Sequence, residues 1–373
     1  MFKRLGSRSI WTSFRSSCSS SSTLPISKNF FEWKEQKRNS RWRWTGPLLG
    51  FSVITTVKDV FGYKPFSTDH QEIEQKVKEG WLARKARRYS EAVKLFKEAL
   101  EMTTAENNPL FISRIYNELA NTYYQMGELD EAEELFRIII HRLLELHGKH
   151  ESDAAFIEVS LKLSDIFAQK GDLDAAEAGY HHCVTRQMKV LEEHLRKYLV
   201  SHGAKVSGEH PVEIHGEIYT DPLALFGMCL EQYALFLVKY RDSSRLEESQ
   251  ECFNETLKVS NQIFGSTSFH LANLLNNYGA ALISSHQYVY ELAKKYLSLG
   301  IDKILQISEC VSMIPGYYCN FAEALFHCGQ VDEALDYARR AVKLAEHSDE
   351  KTQRYVHNFL HDIEIDAKKA GKK

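Results

Sequence analysis

The sequence predicts an all-α chain, a solenoid of repeated helix–turn–helix units. Three observations carry that prediction. A ten-residue phrase recurs as GELDEAEELF (127–136), GDLDAAEAGY (171–180) and GQVDEALDYA (329–338). Each copy follows apolar residues at helical spacing: Tyr116, Leu119, Ala120 and Tyr123; Leu163 and Phe167; Tyr318, Phe321, Ala322 and Leu325. Each also holds a small residue, Ala132, Ala176 or Ala334, four positions before Phe136, Tyr180 or Ala338 on the same helix face.

Within the phrase, glycine ends one helix and acidic residues follow at the positive start of the next. The small residue marks where the two helices cross closely. This is the tetratricopeptide pattern. Weaker copies then fall into frame. ARKARRYSEAVKLFKEAL (83–100) places Ala92, Phe96 and Ala99 on the second helix. YALFLVKYRDSSRLEESQECFNETL (233–257) places Tyr233, Phe236, Tyr240, Ser249, Phe253 and Thr256. LLNNYGAALISSHQYVYELAKKYL (274–297) fits with about two extra residues in its turn. The six units lie near 73–106, 113–146, 157–190, 230–263, 271–306 and 315–348. Their small residues, Ala92, Ala132, Ala176, Ser249, Ala293 and Ala334, are spaced by 40, 44, 73, 44 and 41 residues. The usual period is about 34, so these units carry longer helices or linkers.

Charge divides the chain further. Residues 1–57 hold ten Lys/Arg and two acids, Glu32 and Glu35; the remainder holds 37 basic and 48 acidic residues. An acidic solenoid argues against nucleic acid and suits protein partners. The first 31 residues contain no Asp or Glu, five basic residues and ten serines, interleaved with Phe2, Leu5, Ile10, Trp11 and Phe14. That is the composition of a mitochondrial transit peptide, assigned to 1–45. Residues 46–63 form a membrane-spanning or membrane-anchoring segment. The uncharged run Trp44–Val57 is about 21 Å long as a helix, short of a ~30 Å hydrocarbon core. Reaching Tyr63 brings Lys58 and Asp59 to the membrane edge. Basic residues before Trp44 favour the matrix side for that flank, and the repeats then face the intermembrane space.

The remaining organisation is N-terminal units at 73–190, an inserted helix and loop at 191–229, C-terminal units at 230–348, and a C-terminal helix with a basic tail at 349–373. Little chemistry stands out. The seven cysteines form no C-x-x-C pair and read as buried free thiols. His194, His202, His210 and His215, with His181 and His182 nearby, match no helical face, although a metal-dependent enzyme at this insertion is the reading from another class. There is no nucleophile elbow and no phosphate loop. No catalytic residue, cofactor, metal or small-molecule substrate is expected.

Surface is what such a fold offers. First helices line the groove of a solenoid, so their non-core positions are the binding candidates. They are Trp81, Arg84 and Lys85; Asn117, Asn121, Tyr124 and Gln125; Asp165 and Gln169; and Asn273 and Asn276. Amides there suit the backbone of an extended peptide.

Two stretches are more specific than the repeat pattern. AFIEVSLKLSDIFAQKGDLDAAEAGYHHCV (155–184) contains the run Val159 to Leu163, and LFGMCLEQYALFLVKY (225–240) contains Gly227, Met228 and Cys229. Over roughly 73–369 the chain resembles the mitochondrial tetratricopeptide-repeat factor associated with respiratory complex III. It departs in a longer insertion at 194–223 and a short apolar segment. The resemblance implies a non-catalytic inner-membrane protein bound to complex III. Such a protein promotes clearance of fragments left by processing of the Rieske iron–sulfur subunit. The runner-up is a mitochondrial chaperone or import adaptor that binds extended peptides.

Overall fold

The computed structural model describes residues 71–103, 109–202, 221–285 and 289–370. The transit peptide expected at 1–45, the apolar segment at 46–63 and most of the inserted loop lie outside these residues. The described residues contain thirteen α-helices and no strand. They fall into two compact bodies that divide between Phe236 and Leu237.

The N-terminal body holds α1 (Gln71–Lys85), α2 (Tyr89–Glu101), α3 (Pro109–Met126), α4 (Leu129–His141), α5 (Ala154–Lys170), α6 (Leu173–His202) and most of α7 (Pro222–Tyr240). Consecutive helices from α1 to α6 pack on each other. The repeated phrase forms the turn within each pair. Gly127 and Gly171 have φ of 84° and 89°. Gly127 N–H donates to Tyr124 C=O and Glu128 N–H to Tyr123 C=O; Gly171 and Asp172 repeat this with Ala168 and Phe167. These paired bonds satisfy carbonyls at the helix end and require a left-handed residue. The first unit makes the same turn without glycine. Arg87 occupies the slot at φ 60°, with Arg87 N–H on Arg84 C=O and Arg88 N–H on Ala83 C=O.

The second unit runs longer because α4 continues into a π-helical turn, Arg142–Leu146. From there Arg142 donates to Ser113 Oγ at 2.7 Å and to the Pro109 carbonyl at 3.1 Å, closing back on the start of α3. The third unit's second helix, α6, extends through the predicted boundary at 190 to His202. Helix α7 begins at Pro222, eight residues ahead of the predicted unit start at 230. Asp221 sets that start: its Oδ1 accepts from the N–H groups of Leu223 and Ala224 at 2.8 and 3.0 Å. Proline in the first turn needs no N–H partner. Helix α7 is long and apolar enough to cross a membrane, but 72% of its most apolar window is buried, as befits a core helix. Tyr180 and Phe236 meet there with centroids 5.1 Å apart.

The C-terminal body holds α8 (Leu246–Phe264), α9 (Phe269–Ser284), α10 (Tyr290–Ile304), α11 (Ile314–His327), α12 (Val331–Ala345) and α13 (Glu350–Ala370). Consecutive helices from α8 to α13 pack together. Five residues separate α9 from α10, against three between α1 and α2, which supplies the two extra positions. The core is aromatic: Phe253 stacks on Tyr278 at 3.9 Å, and Tyr296 stands edge-on to both. Tyr278 OH and Ser249 Oγ are 2.8 Å apart. Tyr337 of α12 meets the edges of Tyr318 and Phe321 of α11.

All six predicted crossing residues are fully buried: Ala92, Ala132, Ala176, Ser249, Ala293 and Ala334 are each 0% exposed. Closeness is visible at the glycines too. A Cβ on Gly80 would lie 2.8 Å from the Phe96 ring, and one on Gly279 would lie 2.5 Å from Leu297 Cγ.

Two outcomes follow for stability. Arg87→Gly should stabilise the chain by about 1 kcal/mol, since a non-glycine residue in the left-handed region costs about 1–2 kcal/mol and glycine's extra unfolded-state freedom offsets part of the gain. A rise of roughly 2–4 °C in the melting point checks it. In contrast, Ala132→Asp or Ala334→Asp puts an unpaired carboxylate between helices, a loss of several kcal/mol out of a total of about 5–15. A melting point within a degree of the parent would refute the crossing geometry.

Candidate functional site

The first helices of the N-terminal body are α1, α3 and α5, and α1 and α3 touch. Seven of the nine predicted groove residues on these helices meet other side chains on the same elements. Arg84 Nη2 pairs with Glu118 Oε2 at 2.5 Å, with both side chains only 13–14% exposed. Lys85 lies 5.2 Å over the Trp81 ring. Burial holds the Lys85 ammonium below its usual pKa, and Glu118 opposes that shift. Asn121 Oδ1 accepts from Lys162 Nζ at 2.7 Å, and Lys162 also pairs with Glu158 at 2.7 Å. Tyr124 OH donates to Asp165, which also accepts from Gln169 Nε2 at 2.6 Å. Asn117 is partly buried with its Oδ1 unpartnered, and Gln125 is exposed. The face is therefore a polar ladder that joins one unit to the next.

Glu118, Glu158 and Lys162 complete this ladder and were not among the predicted residues. Each inter-helix bond reaches a residue three to six positions earlier in the next unit's frame than its own repeat equivalent. A frame that aligns equivalents compares Asn121 with Asp165 and passes over Lys162. The usable signal was charge: a Glu–Lys pair four residues apart stands at 158 and 162.

In the C-terminal body, Asn273 and Asn276 lie on α9 and are 8% and 1% exposed. Asn276 is thus closed to solvent rather than facing it. Its Oδ1 accepts from Asn320 Nδ2 of α11 at 3.1 Å, because an amide this deep must find a partner within the fold.

Several groups suited to acid–base or nucleophilic work are buried. Burial pushes the thiols of Cys183 and Cys319 up, and Cys328, half-buried beside Glu291, rises to about 11. Cys310 and Cys328 keep partial exposure, while Cys183, Cys229, Cys252 and Cys319 are buried; Cys18 lies outside the described residues. His182 sits 3.7 Å from Glu151, and burial lowers its pKa despite that carboxylate. Among the described residues no group of three His, Cys, Asp or Glu is placed to hold a metal. His210 and His215 lie outside the described residues. Glu231 of α7 is 2% exposed with Oε2 unpartnered, and burial pushes its carboxyl up to about 8.

The helix pairs, their left-handed turns and the lined first-helix faces define a tetratricopeptide-repeat scaffold, a fold whose general use is to bind proteins rather than to catalyse. Models of the tetratricopeptide repeat match residues 80–139 and 316–348. The chain is 26% identical to tetratricopeptide repeat protein 19, mitochondrial, of Homo sapiens over 274 residues, 73% of this chain and 67% of that one. It is 26% identical to the protein of the same name in Rattus norvegicus over 68% of this chain and 63% of that one. The matches therefore span about two thirds of the relatives' length. A solved signal-transduction ATPase with a tetratricopeptide repeat sensor from Pyrococcus horikoshii is 15% identical, with a TM-score of 0.49, covering 79% of this chain and 39% of that one.

Glu231 generates a pH prediction. Its folded pKa lies above the ordinary 4.5, so between about 4.5 and 8 the folded chain holds a proton that the unfolded chain releases. The stability linked to that proton is complete below the unfolded pKa and is lost as pH rises through the folded one. Glu231→Gln should therefore melt higher than the parent at pH 8, by on the order of 1–3 kcal/mol, with the gap closing towards pH 5. Melting curves across this range test it, and a gap that does not depend on pH would show that the carboxyl is not held neutral.

Proposed function

We propose that this chain is a non-catalytic, protein-binding scaffold of the mitochondrial inner membrane. It supports complex III by promoting clearance of fragments left from processing of the Rieske iron–sulfur subunit. The observation that carries the reading is the likeness to relatives named as mitochondrial tetratricopeptide-repeat proteins over some seven tenths of the chain. The motif resemblance at 155–184 and 225–240 adds complex III to it. The acid-free, serine-rich start supports import through a transit peptide within 1–45. The apolar segment at 46–63, with basic residues before it, supports an anchor whose basic flank stays in the matrix. The acidic repeats then lie in the intermembrane space, where the mobile part of the Rieske subunit is within reach. A scaffold that lacks its own chemistry acts by holding a fragment or a partner in place.

Native electrophoresis of mitochondria in mild detergent should show co-migration with complex III, reduced by deleting 230–348. Protease added to mitoplasts should digest the repeats. Migration only as a free monomer would remove complex III from the reading, and protection until detergent is added would place the repeats in the matrix.

A further inference from the structure

The turn of the first unit differs in charge from the turns that repeat it. In the shared ten-residue frame, 127–136 holds five acids, 171–180 holds three and 329–338 holds three, and none of these stretches holds a lysine or arginine. The equivalent stretch 87–96 holds Arg87, Arg88 and Lys94 against one acid, Glu91. Residues 76–91 together carry six Lys/Arg and two acids, in a chain whose residues after 57 are acidic in sum. Arg87 also stands where those three turns place glycine, at φ 60°. A left-handed residue other than glycine is held at a cost, and such costs cluster at sites with a function.

These cations lie on an open surface. Helix α1 packs on α2 and α3, and no described element precedes it. Lys78, Leu82 and Lys85 are spaced by four and three residues and share one face of α1. Lys78 is exposed, Leu82 is 47% exposed, and Lys85 is half-buried over the Trp81 ring. Arg87 and Arg88 are exposed at the end of this stripe. Among the described residues Lys78 and Arg87 have no ion pair. Arg88 pairs with Glu91 at 2.6 Å, but both side chains face water, so the pair exchanges readily for another anion. Glu79 is the one acid within 76–88, and it accepts from Gln75 at 2.8 Å.

Exposed cations around an exposed leucine are the composition of a surface that meets anionic lipid: the leucine enters the interface while lysine and arginine stay at the headgroups. The chain supplies the proximity. Gln71, where α1 begins, lies eight residues beyond Tyr63, the end of the apolar segment, and eight residues span at most about 29 Å. The first unit is therefore the part of the solenoid held nearest to any bilayer that takes up 46–63. We propose that α1 lies along this bilayer and docks on its anionic headgroups through Lys78, Leu82, Lys85, Arg87 and Arg88. The docked stripe rises about 1.5 Å per residue, some 15 Å from Lys78 to Arg88, and its cations meet phosphate along that length. The acidic turns at 127–136 and 171–180 are repelled by the same surface, which fixes the docked edge as the first unit alone. This deepens the reading of the chain as a membrane-anchored scaffold and rests on 46–63 being the anchor.

The test uses the full chain reconstituted into two kinds of vesicle, phosphatidylcholine alone and phosphatidylcholine with one part in five phosphatidylglycerol. Both contain a phosphatidylcholine that carries a nitroxide quencher near its headgroup. A fluorescent non-natural amino acid replaces Leu82 in one preparation and Leu146, which is 51% exposed in the second unit, in another. Quenching at position 82 should be at least roughly fivefold greater in the anionic vesicles, as expected of clustered cations at such a surface. Quenching at position 146 should not depend on the lipid. Combining Lys78→Gln, Arg87→Gln and Arg88→Gln should bring the ratio at position 82 close to one, and melting curves confirm that this variant is folded. Equal quenching at position 82 in both vesicles, an unchanged ratio in the triple variant, or an equal anionic preference at position 146 overturns the proposal. Should the triple variant instead lose co-migration with complex III while position 82 shows no lipid preference, the stripe belongs to an acidic protein and not to lipid. Flotation with the neutral vesicles scores the anchor separately. A chain that floats there without lipid-dependent quenching sinks only the docking face. A chain that floats and is quenched only with anionic vesicles sinks only the anchor.

Discussion

Everything in this fold depends on how closely two helices of a unit approach. That distance is set by one residue per unit, never larger than serine and always sealed from water. Where a glycine sits at the approach, a neighbouring side chain already occupies the space of the missing Cβ, as Phe96 does beside Gly80 and Leu297 beside Gly279. A larger side chain at these points pushes the pair apart, and interiors packed like crystals do not absorb such a shift. The left-handed turns serve the same end. They reverse the chain in two or three residues and give two helix-end carbonyls a partner each.

Given that spacing, the first helices stand side by side and their polar residues meet. In the N-terminal body the meeting is one of complementary groups: guanidinium with carboxylate, ammonium with amide, phenol with carboxylate. In the C-terminal body it is amide with amide, and the Asn273 amide oxygen is buried without a partner. One repeat architecture thus carries two faces of different character. The first is closed upon itself by charge-assisted bonds, which are the stronger kind. Buried amide oxygens without a partner occur on both, at Asn117 of the first and Asn273 of the second.

Much of this was legible from the residues. The ten-residue phrase located the turns at Gly127, Gly171 and Gly329, and the frame it set predicted all six crossing residues, including the degenerate Ser249 and Ala293. These were readable because close approach and left-handed backbone restrict residue type severely. The start of α7 was not, because the frame extrapolates from the repeat, whereas Asp221 and Pro222 start the helix by local capping. The fate of the groove residues was also hidden. Asn121 and Asn276 sit at plausible surface positions of an isolated helix, and only the neighbouring helix decides that one meets a lysine and the other is buried against an asparagine. The chemistry of a shared face belongs to pairs of helices and cannot be read one helix at a time.

The ladder of the N-terminal body has a kinetic consequence. Its inter-helix bonds join residues 34 to 41 positions apart, one unit to the next and no further. Closing a loop of that length costs little more than closing one of half the length, because the entropy grows only with the logarithm of the span. Folding can therefore begin at whichever helix pair forms first and spread outward by one unit at a time, each new pair finding its hydrogen-bonding partners already in position. A chain emerging slowly from a ribosome or a translocation channel can build such a body in order of arrival, without waiting for its distant end.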